Sequence, residues 1–374
     1  MHLLLTQNYA SNILGQPMTQ LLHEIEWSEP TLSIVRDAAW EAEVRADIGQ
    51  VPDIHLRTSR SPWLRRTILK WPRYEAQEFP RKLADICSLV AAQENACRYC
   101  FGVAKSWMRL WGYSQKMINN IERNAQMAEM DEKERAFIRF CRNLARSNPR
   151  PPKKDRDELV RLGYSPLAVA EMAFLIVNHC FVNRVSTFIA VPPMDELEQL
   201  PNSVLGKVLR PIFGWKLRKI GWTETKSLEG DPQSFPGVVQ KLMGLPAAAA
   251  MNEALLGAFE SETLSRKLKV LMFAVVANSL NCGFCQSETK AMALDCGFTE
   301  DEFTKALATL SSPHLNHHEE RLLSWTRETI HFQNGPMQMR VRELAVEIGE
   351  PMMLEAIGVA SLANSTVRLA VLLE

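Results

Sequence analysis

Two cysteine pairs carry the reactive chemistry of this sequence. ENACRYCFGVAK, residues 94–105, sets Cys97 and Cys100 three apart, and NCGFCQSETK, residues 281–290, repeats the spacing with Cys282 and Cys285. Residues three apart share a helix face, so the two sulfurs of a pair can form a disulfide after modest adjustment. Where such a pair opens a helix, free N–H groups and the macrodipole favour a thiolate. A thiolate attacks a peroxide or a disulfide, and its neighbour resolves the intermediate. Two other readings stand beside this one. Four thiolates, a pair from each site, make a zinc set if the chain folds to bring them together, and buried thiols also pack as small apolar groups. Cys87, Cys141, Cys180 and Cys296 lack partners at a useful spacing and read as packing residues.

The elements that hold the pairs are written twice. RKL at 81–83 returns at 266–268, an offset of 185, and Cys97/Cys100 and Cys282/Cys285 keep that offset. So do Gly112-Tyr113-Ser114 against Gly297-Phe298-Thr299, Glu134 against Glu319, and Arg142 against Arg327. In each copy the apolar residues recur at helical spacing, as Leu83, Ile86, Cys87 and Val90 do, while period-two alternation and hairpin dipeptides are scarce. Asp131 with Glu134, and Asn316 with Glu319, have the form of capping boxes. The expected architecture is all-α: an N-terminal helical extension over the first unit (1–60), a first repeat (61–193), a connector (194–244) and a second repeat (245–374). The connector holds a basic, aromatic stretch, GKVLRPIFGWKLRKIGW (206–222), which reads as an inter-domain segment.

Composition limits the partners. Lys+Arg and Asp+Glu cancel at 43 each in 374 residues, so nothing favours nucleic acid. The longest unbroken apolar run, Val270–Ala277, falls well short of a membrane span. The N-terminus lacks the basic region of a secretory signal, which makes a cytoplasmic location the expectation, and there thiols stay mostly reduced.

Other groups near the pairs compete for roles. Glu94 and Glu288, three residues from Cys97 and Cys285, read as solvated or capping carboxylates, with Glu288 an auxiliary proton acceptor in the sharper reading. His179 lies in an apolar helix, matched at the same offset by Asn364; it reads as a packed histidine, or as a proton relay reaching Cys100 from another helix. His314, His317 and His318 read as the start of a capped helix rather than a metal site, and Trp107, Trp111 and Tyr113 as core.

R-x-L, an apolar helix, C-x-x-C and a Gly-aromatic stop together resemble the alkylhydroperoxidase D / carboxymuconolactone decarboxylase superfamily. FLIVNHCFVNRVSTFIAVP resembles the last core helix of its peroxidase-related branch, with Asn183-Arg184. The similarity spans roughly residues 81–193 and 245–374. It implies an all-helical fold whose two tandem repeats form a pseudo-dimer, with further self-association into a homo-oligomer. It also implies that Cys100 and Cys285 are nucleophiles and Cys97 and Cys282 resolving thiols, with no cofactor and no metal. The family's relay glutamate falls on Asp85 in the first copy and Val270 in the second, and its relay histidine on Ala104 and Thr289. Asp85 therefore keeps a relay carboxylate in the first copy alone. The expected function is a CxxC-dependent thiol oxidoreductase acting on a small peroxide, or on a disulfide-carrying protein or thiol donor. The alternatives are a non-enzymatic scaffold built on the same core and, more distantly, a lactone decarboxylase.

Overall fold

The computed structural model describes residues 28–123, 130–146, 151, 153–204, 206, 208, 227–332 and 334–374, and every regular element among them is helical. Residues 1–27 and most of the basic stretch 206–222, including Lys207, Arg210, Lys216, Arg218 and Lys219, lie outside the described residues. Three helices come first: α1 (Ala38–Ile48), α2 (Asp53–Arg57) and α3 (Pro62–Lys70). The next six are α4 (Arg81–Glu94), α5 (Arg98–Leu110), α6 (Gln115–Arg123), α7 (Glu132–Ala145), α8 (Lys153–Arg161) and α9 (Pro166–Ile189). Short α10 (Asp195–Gln199) and α11 (Pro236–Val239) flank the connector. Then follow α12 (Pro246–Glu260), α13 (Arg266–Ser279), α14 (Gly283–Asp295), α15 (Glu300–Thr309), α16 (His317–Glu328), α17 (Asn334–Ile348) and α18 (Glu350–Leu373).

Local chemistry sets many of these boundaries. Asp131, Ser165, Thr299 and Asn316 each accept the N3 amide of the helix that follows, which satisfies a donor that the helix cannot. At Asn316 the box is complete, because the Glu319 carboxylate accepts the Asn316 amide at 3.0 Å. At Asp131 it is not: Glu134 instead takes Lys82 Nζ at 2.5 Å, tying α7 to α4.

The core is built on α9 and α18, which pack on each other more extensively than any other pair of helices. Both are 24 residues long and apolar enough to cross a membrane by length and composition, beyond what the short apolar runs suggested. Both are also buried inside the fold, as core helices are. Each buries one carboxylate and one guanidinium thirteen residues apart, Glu171 with Arg184 and Glu355 with Arg368. Those charges are met by specific partners. Glu171 accepts Tyr74 Oη at 2.6 Å and the amides of Gln77 and Glu78 at 3.0 and 2.7 Å. Glu355 accepts Ser61 Oγ and Trp63 Nε1, each at 2.8 Å. Arg184 donates to the Thr329 carbonyl at 2.6 Å and lies 4.7 Å from the Phe332 ring centroid. Arg368 donates to the Ile330 carbonyl at 3.2 Å. The like charges and the bounds of the two helices stand 184 residues apart, not 185, and at that spacing His179 falls on Ala363 and not on Asn364.

The N-terminal extension lies across both halves, not over the first alone. Thr31 bonds the Ile189 carbonyl, whereas Ser33 and Arg60 bond Glu350 and Ser28 bonds Gln338. Trp63 of α3 sits against Gly257 and Gly358, where an added Cβ would come within 2.7 and 2.8 Å of the indole side chain.

A buried carboxylate that satisfies three donors is costly to remove, because the donors lose their partner without regaining water. Glu171→Ala is expected to lower unfolding free energy by about 3 kcal/mol or more, read as a reduced urea midpoint. Glu171→Gln, which keeps an acceptor, is expected to lose less.

Candidate functional site

Each cysteine pair sits at a helix break made by the residue before it. Ala96 and Asn281 adopt φ of 47° and 51°, the left-handed region that non-glycine residues rarely occupy. The turn lets the amides of Cys97 and Cys282 close back on the carbonyls of Ala92 and Ala277, at 2.9 and 3.0 Å. The chain then leaves in an extended conformation at Cys97 and Cys282, which become the N-caps of α5 and α14. A side chain from the far half supports the first break: Asn334 Nδ2 donates to the Ala96 carbonyl at 2.7 Å.

Both N-cap sulfurs accept the amide of the second cysteine, Cys100 N at 3.4 Å and Cys285 N at 3.5 Å. All eight cysteines are free thiols. Burial pushes Cys97 up, but hydrogen bonds from the Cys100 thiol and amide, the Thr187 hydroxyl and the Tyr99 amide outweigh it, leaving its pKa below the ordinary thiol value. Cys100 moves the other way, raised first by burial and then by donating to Cys97 and facing its charge. The favoured ionised state of the pair is therefore a Cys97 thiolate bonded by a Cys100 thiol.

Access divides the pair in the opposite sense. Cys97 is fully buried, while Cys100 is partly exposed and lines a cavity of about 300 Å³. Its sulfur also lies 3.5 Å from Ser186 Oγ on α9. Asp85 from α4 and His179 from α9 line the same cavity. Thus three of the sequence-derived candidates meet around one space. Asp85 is buried and accepts Tyr113 Oη at 2.8 Å, with Arg81 Nε 3.8 Å away. Burial alone brings His179 down to about 4, so its imidazole is neutral at pH 7 and takes a proton reluctantly.

The remaining wall is aromatic and apolar, and parts of it had no signal in the sequence. Trp107 and Trp111, expected in the core, instead line the cavity with rings stacked at 5.9 Å. His55 of α2 lines it too, with Nδ1 buried and without a partner among the described residues. Burial, with the Arg73 cation second, pulls His55 down to about 4. Asn183 contributes a buried Nδ2 with no partner among the described residues. Met194 and Leu197 close one side from the start of the connector. That segment is held by Glu198, whose carboxylate pairs with Arg98 at 2.5 and 2.9 Å directly over Gly102. A Cβ at 102 would fall 2.0 Å from Glu198 Oε1, so the clamp needs glycine there.

The second pair has a different setting. Cys282 and Cys285 are both fully buried and neither lines the cavity at Cys100. The hydrogen bond from Cys285 lowers Cys282 against its burial, and the same bond, burial and the nearby Glu288 and Glu374 carboxylates raise Cys285. Glu288 is not the solvated residue expected: Oε1 accepts the Gly237 amide at 2.7 Å, Oε2 is buried without a partner among the described residues, and burial raises its pKa. Glu94 is not freely solvated either: its side chain is only 13% exposed and pairs with Arg142 and Arg146 at 2.5 and 3.2 Å. Among the described residues, no group of three or more His, Cys, Asp or Glu side chains is placed to hold a metal, and the two pairs do not share one site.

Compared with protein families, with curated proteins and with solved structures, the chain matches none.

The two neutral histidines make stability depend on pH. Each is near 4 in the folded chain against about 6.5 when unfolded. Between these values the unfolded state binds more protons, so stability is full above about pH 6.5 and falls as pH drops toward 4. Each histidine contributes on the order of 3 kcal/mol to that loss. Thermal unfolding from pH 7.5 to 4.5 is expected to show a declining Tm, and His179→Asn to flatten the decline by about half.

Proposed function

We propose that this chain is a thiol oxidoreductase whose working centre is Cys97–Cys100, on a duplicated helical frame of the alkylhydroperoxidase D-like class. The observation that carries the reading is the meeting of Cys100, Asp85 and His179 around one cavity, with the Cys97 sulfur fixed at a helix N-terminus behind. The duplication is supported by helix boundaries. Arg81–Glu94 with Arg98–Leu110 and Arg266–Ser279 with Gly283–Asp295 repeat at an offset of 185. In this reading α9 and α18 form the contact of a pseudo-dimer.

The reaction follows from the charge distribution. A peroxide in the cavity meets Cys100, which passes its proton to the Cys97 thiolate as its sulfur attacks the near oxygen. The O–O bond breaks, Cys100 becomes a sulfenic acid, and the leaving alkoxide takes a proton from the same relay. Cys97, again ionised by the N–H groups around it, attacks the Cys100 sulfur and expels hydroxide, which takes a proton from solvent and leaves as water, and the pair becomes a disulfide. A thiol donor restores the pair by exchange, and a disulfide-carrying protein enters the cycle at that step. General acid–base help is worth about 10²–10⁴-fold, and here His179 and Asp85 supply it in place of the histidine and glutamate of the family pattern. A reducing compartment such as the cytoplasm suits the cycle, since it regenerates the dithiol.

The second pair is assigned no turnover. Both sulfurs are sealed, and the Glu288 and Glu374 carboxylates oppose a thiolate at Cys285. That is the one observation favouring a scaffold role for this half.

Thiol titration before and after a stoichiometric organic hydroperoxide tests the proposal. Two of the eight thiols are expected to disappear in the fast phase, both mapping to Cys97 and Cys100. Cys100→Ser is expected to abolish the loss, and His179→Asn to slow it by about 10²-fold. Retention of both thiols would sink the reading and leave the whole chain a binding module.

A further inference from the structure

A third pair of thiols meets in the core of the first half without any CxxC spacing. Cys87 on α4 and Cys141 on α7 are separated by 54 residues in sequence, yet their sulfurs stand 3.7 Å apart, both fully buried. They pack in the core as the sequence suggests, but against each other, a pairing no spacing signalled. α4 and α7 pack closely along this face, and the Lys82–Glu134 pair ties them together two turns away. Cys141 Sγ also points to the Cys87 carbonyl at 3.8 Å, so the two side chains converge rather than pass. Cys180 on α9 is oriented elsewhere: Asn95 Nδ2 donates to its sulfur at 3.4 Å, and it faces the Ala145 carbonyl at 3.9 Å.

We propose that Cys87 and Cys141 form a second, slowly oxidised disulfide that locks α4 to α7. Closing the gap takes the sulfurs from 3.7 Å to about 2.05 Å, a change within reach of side-chain rotation and a small helix shift. With a hydroperoxide as oxidant the balance is two thiols and ROOH giving one disulfide, ROH and water. Two S–H bonds and the O–O bond break, the S–S bond forms, the sulfurs lose two electrons and the peroxide oxygens gain them. Burial and the neighbouring thiol push Cys87 well above the ordinary value, so the step waits for local opening and runs more slowly than oxidation at Cys97–Cys100.

The position gives the bond a role. Asp85 lies two residues before Cys87, and α4 ends at the turn that delivers Cys97. Oxidation at 87–141 therefore stiffens the helix that carries the relay carboxylate and leads into the reactive dithiol. Sustained peroxide would be written into the fold as a fixed α4, separate from the turnover of the exposed pair.

The test uses the full-length chain. Protein is treated with cumene hydroperoxide or diamide for increasing times, quenched with N-ethylmaleimide and digested with trypsin and Glu-C without reduction. Cleavage after Glu94 separates Cys87 from Cys97, so mass spectrometry assigns the bonds without ambiguity. The expected result is a cross-link between segments 83–94 and 140–142, appearing at least tenfold more slowly than the Cys97–Cys100 bond and absent in Cys141→Ser. The oxidised protein is expected to melt about 5 °C higher, from the shortened unfolded loop. Alkylated Cys87 and Cys141 after prolonged oxidation would overturn the proposal, as would a bond from either to Cys180 or one formed in denaturant only. Loss of the Cys97–Cys100 bond alone would count against the functional reading and leave this one standing.

Discussion

The packing of α9 on α18 is the constraint on which the rest depends. Two 24-residue helices bury nearly all their surface, and each carries a carboxylate and a guanidinium into a region where an unmatched charge is prohibitive. Such groups are tolerated only in one arrangement, with Glu171 meeting Tyr74 and its neighbouring amides, and Glu355 meeting Ser61 and Trp63. Apolar contacts alone would permit sliding by a turn, whereas these hydrogen bonds do not. The register they impose brings His179, Ser186 and Thr187 to the dithiol of the first half.

Electrostatics and access part company at that dithiol, and the separation is useful chemistry. The N-cap sulfur is the better anion but is sealed, while the sulfur that faces the cavity holds the proton. A sealed thiolate is protected from stray oxidants and stays ready to accept a proton or attack its neighbour. An exposed thiol is selective, since it becomes nucleophilic only when the proton has somewhere to go. Asp85, bonded by Tyr113, and neutral His179 line the same cavity as that thiol.

Much of the helical frame was legible in the sequence, because helical periodicity and caps are local signals. The cysteine pairs were legible for the same reason. His179 was visible only as a histidine in an apolar stretch, since its meeting with Cys100 depends on how α9 packs against α5. His55, Met194 and Leu197 had no signal, because the cavity takes them from segments with no periodic or spacing relation to the pairs. Trp107 and Trp111 were misread as core because an aromatic stripe at helical spacing looks alike whether it faces a neighbour or a void. Cys87 and Cys141 escaped for the converse reason: residues on different helices can touch without any spacing rule connecting them.

The bond from Asn334 to the Ala96 carbonyl joins residues 238 apart in sequence and ends one residue before Cys97. A brace delivered by a second chain would vanish on dilution. Because both ends of this one lie in a single polypeptide, its local concentration does not depend on how much protein is present. Covalent continuity thus makes the supported turn at Ala96 a permanent feature of the chain instead of a product of assembly.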